Sequence, residues 1–225
     1  DDYEIYLHIA NVPVVSVNPD SPYDNFGALL EAMKGGERVT VATAGVNSSG
    51  GMALAAIREA AGGDTNAQMI AYDGGNPAVL AAASGEALAT TQLASEQAEL
   101  IRAGKLRPLV ALAATPLEIE GIDPIPPITE YMEMHTAPDY FGVFIPKGAP
   151  QEVYDTVNRV WQDAIMDAQE LKDYAKNRGA TFDPAYGEAA REKAMPVVIA
   201  EACARVTRNE AVLDPSEIGI DCSGT

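Results

Sequence analysis

Basic residues are scarce in this chain. Lys and Arg total 15 against 33 Asp and Glu, a formal net charge of −18 with a pI near 4.3. A nucleic-acid binder needs a basic footprint, and no Lys/Arg cluster interrupts the acidic background. An anionic membrane surface is disfavoured for the same reason. The charge reads first as solubility. It does not make the ligand a cation, because local donors can oppose the overall field. Cysteine and histidine are rarer still, with two of each: Cys203, Cys222, His8 and His135. A structural zinc site needs four ligands at characteristic spacings, and nothing here supplies them. The two cysteines either pair across a loop near the carboxyl end or stay free thiols; a disulfide would mark an oxidising compartment. No apolar run approaches the roughly 20 residues of a membrane-spanning helix. Gly (19) and Pro (15) are too few for a low-complexity chain. No signal segment precedes Asp1, so Asp1 reads as a processing point, an expression boundary or a fragment start, and by itself says nothing of the compartment.

What is present is a globular composition. The 225 residues are 47% hydrophobic with a mean hydropathy of −0.05, enough for one large domain or two small ones with a sizeable core. Tyr3 to Val17 is apolar and β-branched, interrupted by Pro13, and reads as one or two strands. Phe26, Leu29, Leu30 and Met33 follow at helical spacing, and Gly35-Gly36 ends that helix. From Arg38 to Ala113 strands, small-residue loops and helices alternate, the signature of βαβ units around a parallel sheet. In such sheets ligands sit beyond the carboxyl ends of the strands, where helices begin. Thr115 to Pro127 carries four prolines and reads as irregular surface. Tyr140 to Ile145 reads as a strand. From Gln151 on, the pattern is helical: 151–167, 169–177 and 185–208.

The strongest local feature is TAGVNSSGG, Thr43 to Gly51, joining a strand to a helix start. Glycines let a backbone approach a ligand closely. First-turn N–H groups have no intrahelical partner and carry partial positive charge. Thr43, Asn47, Ser48 and Ser49 add neutral donors. The loop is thus an anion cradle without a basic side chain, or else a turn with an ordinary Ser N-cap. It is neither a Walker A motif, for want of the Lys, nor a dinucleotide fingerprint. YDGGNPA, Tyr72 to Ala78, repeats the theme, with Tyr72 as a possible pocket wall and a Pro-started helix as the plainer reading. Enzyme constellations are thin. His8 lies in an apolar strand and reads as a satisfied core or edge residue. His135 reads as a solvated loop residue. No Ser occupies a nucleophile elbow, and Glu118-Ile119-Glu120 reads as a solvated face.

Six collinear segments together resemble one family: VATAGVNSSGG (41–51), YDGGNPAVLAAASGE (72–86), AGKLRPLVAL (103–112), IPPITEY (125–131), YFGVFIPKGAPQEV (140–153) and NRGATF (177–182). Their order and spacing are similar to the extracytoplasmic solute receptors of tripartite tricarboxylate transporters, the Bug family. The resemblance covers nearly the whole chain. It implies an α/β fold, a two-lobed periplasmic binding protein of type II (Venus flytrap), with a small carboxylate held in the cleft between lobes by one loop from each. The loop from Thr43 through Ala44, Gly45, Asn47 and Ser48 to Ser49 matches one of these. Tyr72 to Asn76 matches the pocket-lining stretch after it. Gln92 and Ser95 fall near further polar contacts, and Tyr140 and Phe141 match an aromatic pair near the crossover. The chain departs from the family pattern by lacking its usual amino-terminal segment, and by Glu86-Ala87-Leu88 where a polar strand is usual.

The resemblance therefore implies lobe one, partial, over 1–37 and 139–225, and lobe two over 38–138. It implies a periplasmic receptor without catalysis, cofactor or metal, serving the membrane subunits of a transporter. The open lobe makes a homodimer possible. The alternative is a receptor-derived sensor or interaction module that no longer clamps ligand. Di- and tricarboxylates, aromatic acids and amino acids all remain open as ligands.

Overall fold

Pro13 divides the first apolar run into β1 (Tyr3–Asn11) and β2 (Val14–Val17). Proline has no N–H to give a ladder, and Pro13 makes only an isolated bridge to Leu93. The two strands join different sheets. The structure, a computed structural model, describes residues 2–63, 65–134, 138–211 and 213–223; His135 lies outside them. The chain forms two units: residues 1–10, 137–173 and 181–225 make unit 1, and 11–136 with 174–180 make unit 2. The boundary expected at 37/38 thus falls at 10/11. The reason is β2, which lies between two strands of the unit-2 sheet and carries residues 11–37 with it.

Unit 2 is built on a five-stranded sheet that adds β3 (Val39–Thr43), β4 (Ala67–Ala71), β5 (Ala89–Thr90) and β6 (Arg107–Ala111) in the order β4-β3-β5-β2-β6. β3 runs parallel to β4 and β5, whereas β2 runs antiparallel to β5 and β6. The sheet is therefore mixed, and the βαβ reading holds for its β3–β5 half. Four helices flank it: α1 (Phe26–Lys34), α2 (Ser49–Ala60), α3 (Gly75–Ser84) and α4 (Ala94–Arg102). Asn25 caps α1, its Oδ1 accepting the Ala28 N–H at 3.0 Å. The apolar face of α1 buries Phe26, Leu29, Leu30 and Met33 against Val41 and Ile57. Each such side chain contributes roughly 1.5–3 kcal/mol of burial.

Unit 1 carries a three-stranded sheet, β7-β1-β8, completed by β7 (Asp139–Pro146) and β8 (Thr181–Tyr186). β8 is a correction to the helical pattern expected after Gln151. Its Pro184 masks the strand in the sequence, and antiparallel pairing with β1 supplies the partner that local pattern cannot show. The helices are α5 (Gln151–Val160), the first half of α6 (Gln169–Arg178), whose residues 174–178 belong to unit 2, and α7 (Gly187–Thr207). α5 runs into a π-helical turn, Trp161–Ile165. That turn seats Trp161 on Tyr6, with ring centroids 5.3 Å apart, and its Nε1–H donates to the Leu7 carbonyl at 3.0 Å. Tyr140 Oη donates to Asp183 at 2.7 Å, and Lys193 pairs with the same carboxylate, tying β7, β8 and α7 together. Cys203 and Cys222 form a disulfide that fastens the tail to α7.

Unit 1 is the more thinly packed of the two. α5 buries none of its residues, α7 only Ala190 and Cys203, and Phe141, Val143 and Phe144 of β7 stand exposed. His8 is a further correction. It lies on β1 as expected, but its Nδ1 is buried with no partner among the described residues, and burial lowers its pKa from the ordinary histidine value.

Candidate functional site

The site gathers at the head of α2. Thr43 ends β3 fully buried, and its Oγ1 accepts the Gly45 N–H at 3.2 Å. Gly45 takes φ +108°, open to glycine and strained for other residues. The chain then folds back. Ser48 N–H donates to the Gly45 carbonyl at 3.1 Å, and Ser48 Oγ donates to it at 2.7 Å. Ser48 Oγ in turn accepts the Gly51 N–H at 3.1 Å. Ser48 is therefore a true N-cap, and its hydroxyl is committed to holding the loop. What the loop presents instead is the helix end, with the positive pole of α2 behind it. Ala44 and Ser49 are half-buried, and Asn47 is exposed at the rim.

Two glycines let the loop sit this close. A side chain on Gly51 would overlap the Gly45 carbonyl oxygen and stand 2.9 Å from that of Val46. One on Gly50 would collide with the Gln92 amide and stand 3.2 Å from the Thr91 carbonyl oxygen. Thr91 Oγ1 fastens the other side, donating to the Gly50 carbonyl at 2.6 Å. Gln92 thus packs against the first turn of α2. It is 2% exposed, and its Nε2 has no partner among the described residues. The buried polar side chains among the described residues all lie in unit 2, and none carries a formal charge. An anion here would meet a helix pole and neutral donors.

The other expected positions are placed differently. Tyr72 packs on Ala42, Ala78, Ala81 and Ala87, and its hydroxyl donates to Glu86 at 2.9 Å. Burial first, then that carboxylate, raises its pKa. Its backbone N–H donates to the Thr43 carbonyl at 2.8 Å, which sets Tyr72 beside the start of the loop while its hydroxyl turns to Glu86. The second glycine loop is filled from within: a side chain on Gly75 would overlap the Glu96 carboxylate. Glu96 also accepts the Leu93 N–H at 3.1 Å, capping α4, and burial raises its pKa. The head of α3 therefore already holds a carboxylate of the protein's own. Ser95 is buried in the first turn of α4, and its carbonyl accepts from Arg178 at 3.4 Å. Tyr140 and Phe141 belong to β7 in unit 1.

Two residues beside this site had no local signal. Gln97 is fully buried and donates from Nε2 to the carbonyls of Val14 (2.7 Å) and Gln92 (2.5 Å). Thr91 is the other, through its bond to the Gly50 carbonyl. Only tertiary contact gives these residues a role, so no spacing announces them. Among the described residues no group of three His, Cys, Asp or Glu could hold a metal ion.

In open α/β sheets the helix heads beyond the carboxyl ends of the strands are where ligands sit. Solved structures bear the fold out. A periplasmic transporter is 22% identical with a TM-score of 0.74, matching 99% of this chain and 70% of its own. The periplasmic binding protein BugD is 20% identical with a TM-score of 0.76, over 92% and 69%. An R. palustris protein solved with adipate is 19% identical with a TM-score of 0.73, over 93% and 69%. A comparison with curated proteins finds no match. The family profile described as the tripartite tricarboxylate transporter family receptor matches residues 1–208. The chain belongs to that family of solute-binding receptors.

Proposed function

We propose that this chain captures a small organic acid at the head of α2, in the periplasm, and delivers it to the membrane subunits of a tripartite transporter. It acts without catalysis, cofactor or metal. The observation that carries this reading is the loop from Thr43 to Gly51. Its glycines bring the backbone to the helix pole, Ser48 locks the turn, and the Gln92 amide packs on Gly50 with its Nε2 unpartnered among the described residues. A carboxylate bound there exchanges hydration for fixed dipoles, the arrangement that helix heads supply to anions. Two relatives were solved with carboxylates, adipate in one and malate in the other, which supports an acid as the ligand.

The test is isothermal titration calorimetry of mono-, di- and tricarboxylates against this chain, with Gly50→Val as the site variant. At least one acid is expected to bind saturably, and Gly50→Val to lose it by displacing Gln92. A flat panel on folded protein would overturn the receptor reading.

That outcome would favour a second reading, a receptor-derived module that no longer clamps ligand. The chain covers about 70% of the structures it matches, and β7 leaves Phe141, Val143 and Phe144 exposed on a three-stranded sheet. Such a face suits self-association, and light scattering of the folded chain would detect it.

A further inference from the structure

The end of α7 is held by a bond that ligand capture does not use. Cys203 on α7 is 3% exposed, and Cys222, to which it is bonded, is half-buried. A cavity of about 370 Å³ lies at this point, its wall including Val206, Pro215, Ile220, Asp214 and Asp221. Cys222 is part of that wall and Cys203 is not. A reagent entering the cavity therefore meets the disulfide from the Cys222 side.

The segment carrying Cys222 closes on itself. Asp214 accepts the Ser216 N–H at 2.9 Å, the Ile220 N–H donates to the Pro215 carbonyl at 3.0 Å, and Asp221 accepts the Ser223 N–H at 2.9 Å. Pro215 and Ile220 are buried, while Leu213 and Ile218 stand 67% and 68% exposed. On the other side of the bond, Cys203 is the one buried residue of α7 after Ala190. A segment with local hydrogen bonds and so little buried apolar surface opens easily once its covalent tie is cut. The rim of the cavity sets which reagent enters. Asp214 and Asp221 are exposed there, and the Ser216 and Ser223 N–H bonds lower their pKa values. The rim is thus anionic in a chain of net charge −18, and it repels an anionic thiol.

We propose that Cys203–Cys222 is a redox latch, opened in the folded protein by a neutral or cationic dithiol that attacks Cys222, and that opening releases residues 213–223 from α7. One thiolate of the dithiol forms a bond to Cys222 Sγ. The Cys203–Cys222 bond breaks, and its electron pair leaves with Cys203 Sγ, which takes up a proton. The second thiol then attacks its own partner sulfur in the mixed disulfide and expels Cys222 as a thiol. The dithiol ends as a cyclic disulfide, oxidised by two electrons, and its two protons end on the two cysteines. The closed latch is the form an oxidising compartment favours.

The experiment treats the oxidised full chain with dithiothreitol in the absence of denaturant, alkylates it with iodoacetamide and digests it briefly with trypsin. Arg205 and Arg208 lie at the end of α7. Cleavage after them is expected to be at least ~10-fold faster in the reduced chain, because proteolysis follows the population of the open form. Trp161 emission should stay native, showing that the three-stranded sheet stays folded. The Cys203→Ser/Cys222→Ser variant should be cut at the fast rate with or without dithiothreitol. A short pulse of cysteamine, quenched with iodoacetamide, should leave the cysteamine adduct on Cys222 and the alkyl group on Cys203. Per thiolate and at low salt, cysteamine should react about 10-fold faster than 3-mercaptopropionate, and Asp214→Asn/Asp221→Asn should narrow that ratio. Reduction that proceeds only when denaturant unfolds the chain would overturn the proposal. So would unchanged cleavage at Arg205 and Arg208 after reduction, an adduct on Cys203, or equal rates for the two thiols. The wild-type measurements stand even where a variant does not fold.

Discussion

Adding one methyl group at Gly51 tests the packing of the cradle. A Cβ there would overlap the Gly45 carbonyl oxygen and lie 2.9 Å from the Val46 carbonyl oxygen. Both obstacles are backbone, so no side-chain rotation relieves them, and the loop from Gly45 to Ser48 must lift. Overpacking of this kind costs about 1–3 kcal/mol. The gain from Gly→Ala in a helix is at most about 1 kcal/mol, and less in the first turn. The expected net loss is therefore about 1–2 kcal/mol. For a chain of this size that lowers Tm by roughly 2–8 °C. At Gly50 the main obstacle is the Gln92 amide, the movable end of a side chain. Gly50→Ala should lower Tm less and weaken acid binding more, because the displaced group is a proposed donor. Differential scanning calorimetry reads the first effect, with emission of the single tryptophan, Trp161, following unit 1 separately. A Gly51→Ala Tm within about 1 °C of wild type would refute the close loop-on-helix packing. A Gly50→Ala variant that binds acids unchanged would refute the role given to Gln92.

Other perturbations follow from the same structure. Burial lowers the His8 pKa, so the folded chain gives up its proton more readily than the unfolded one. Both states are neutral above the ordinary value near 6.5. Stability should thus fall as pH drops below about 6.5 and level off beneath the folded pKa. Trp161 emission, 6.2 Å from His8 between ring centroids, should report that loss in pH-dependent denaturation. A His8→Gln variant should lack it, and identical pH slopes from 7 to 5 would disprove it. Reducing Cys203–Cys222 reopens a loop with a sequence separation of 19. A loss of roughly 3 kcal/mol is expected from the chain-entropy relation, seen as a lower denaturant midpoint with dithiothreitol; an unchanged midpoint would count against it.

Much of unit 2 was legible because its signals are local. Phe26 to Met33 keep a 3.6-residue period, Gly35-Gly36 stop the helix, and the β3–α2 alternation is written in small residues. Sheet membership was not legible. β1 and β2 read as one apolar run, and nothing in Val14 to Val17 says that they lie between β5 and β6. That single fact moves the boundary from 37/38 to 10/11. β8 was hidden by Pro184 and by its distance in sequence from β1. At the site, Thr43, Ser48 and the glycines were visible as a strand–loop–helix junction. The rest depends on long-range contact: Gln97 reaches Val14 across 83 residues. Tyr72 keeps its backbone beside Thr43, but its hydroxyl turns to Glu86 and Glu96 fills the neighbouring helix head, contacts that no local pattern shows.

The central claim is that the head of α2 receives a carboxylate. The most direct measurement is an amide-resolved NMR titration of the full chain with the acid that calorimetry selects. The Ser49 and Gly50 N–H resonances and the Gln92 side-chain amide should shift together, saturating at the calorimetric Kd, while the Gly75 N–H at the head of α3 stays in place. Binding that leaves Ser49, Gly50 and Gln92 unmoved would contradict the account.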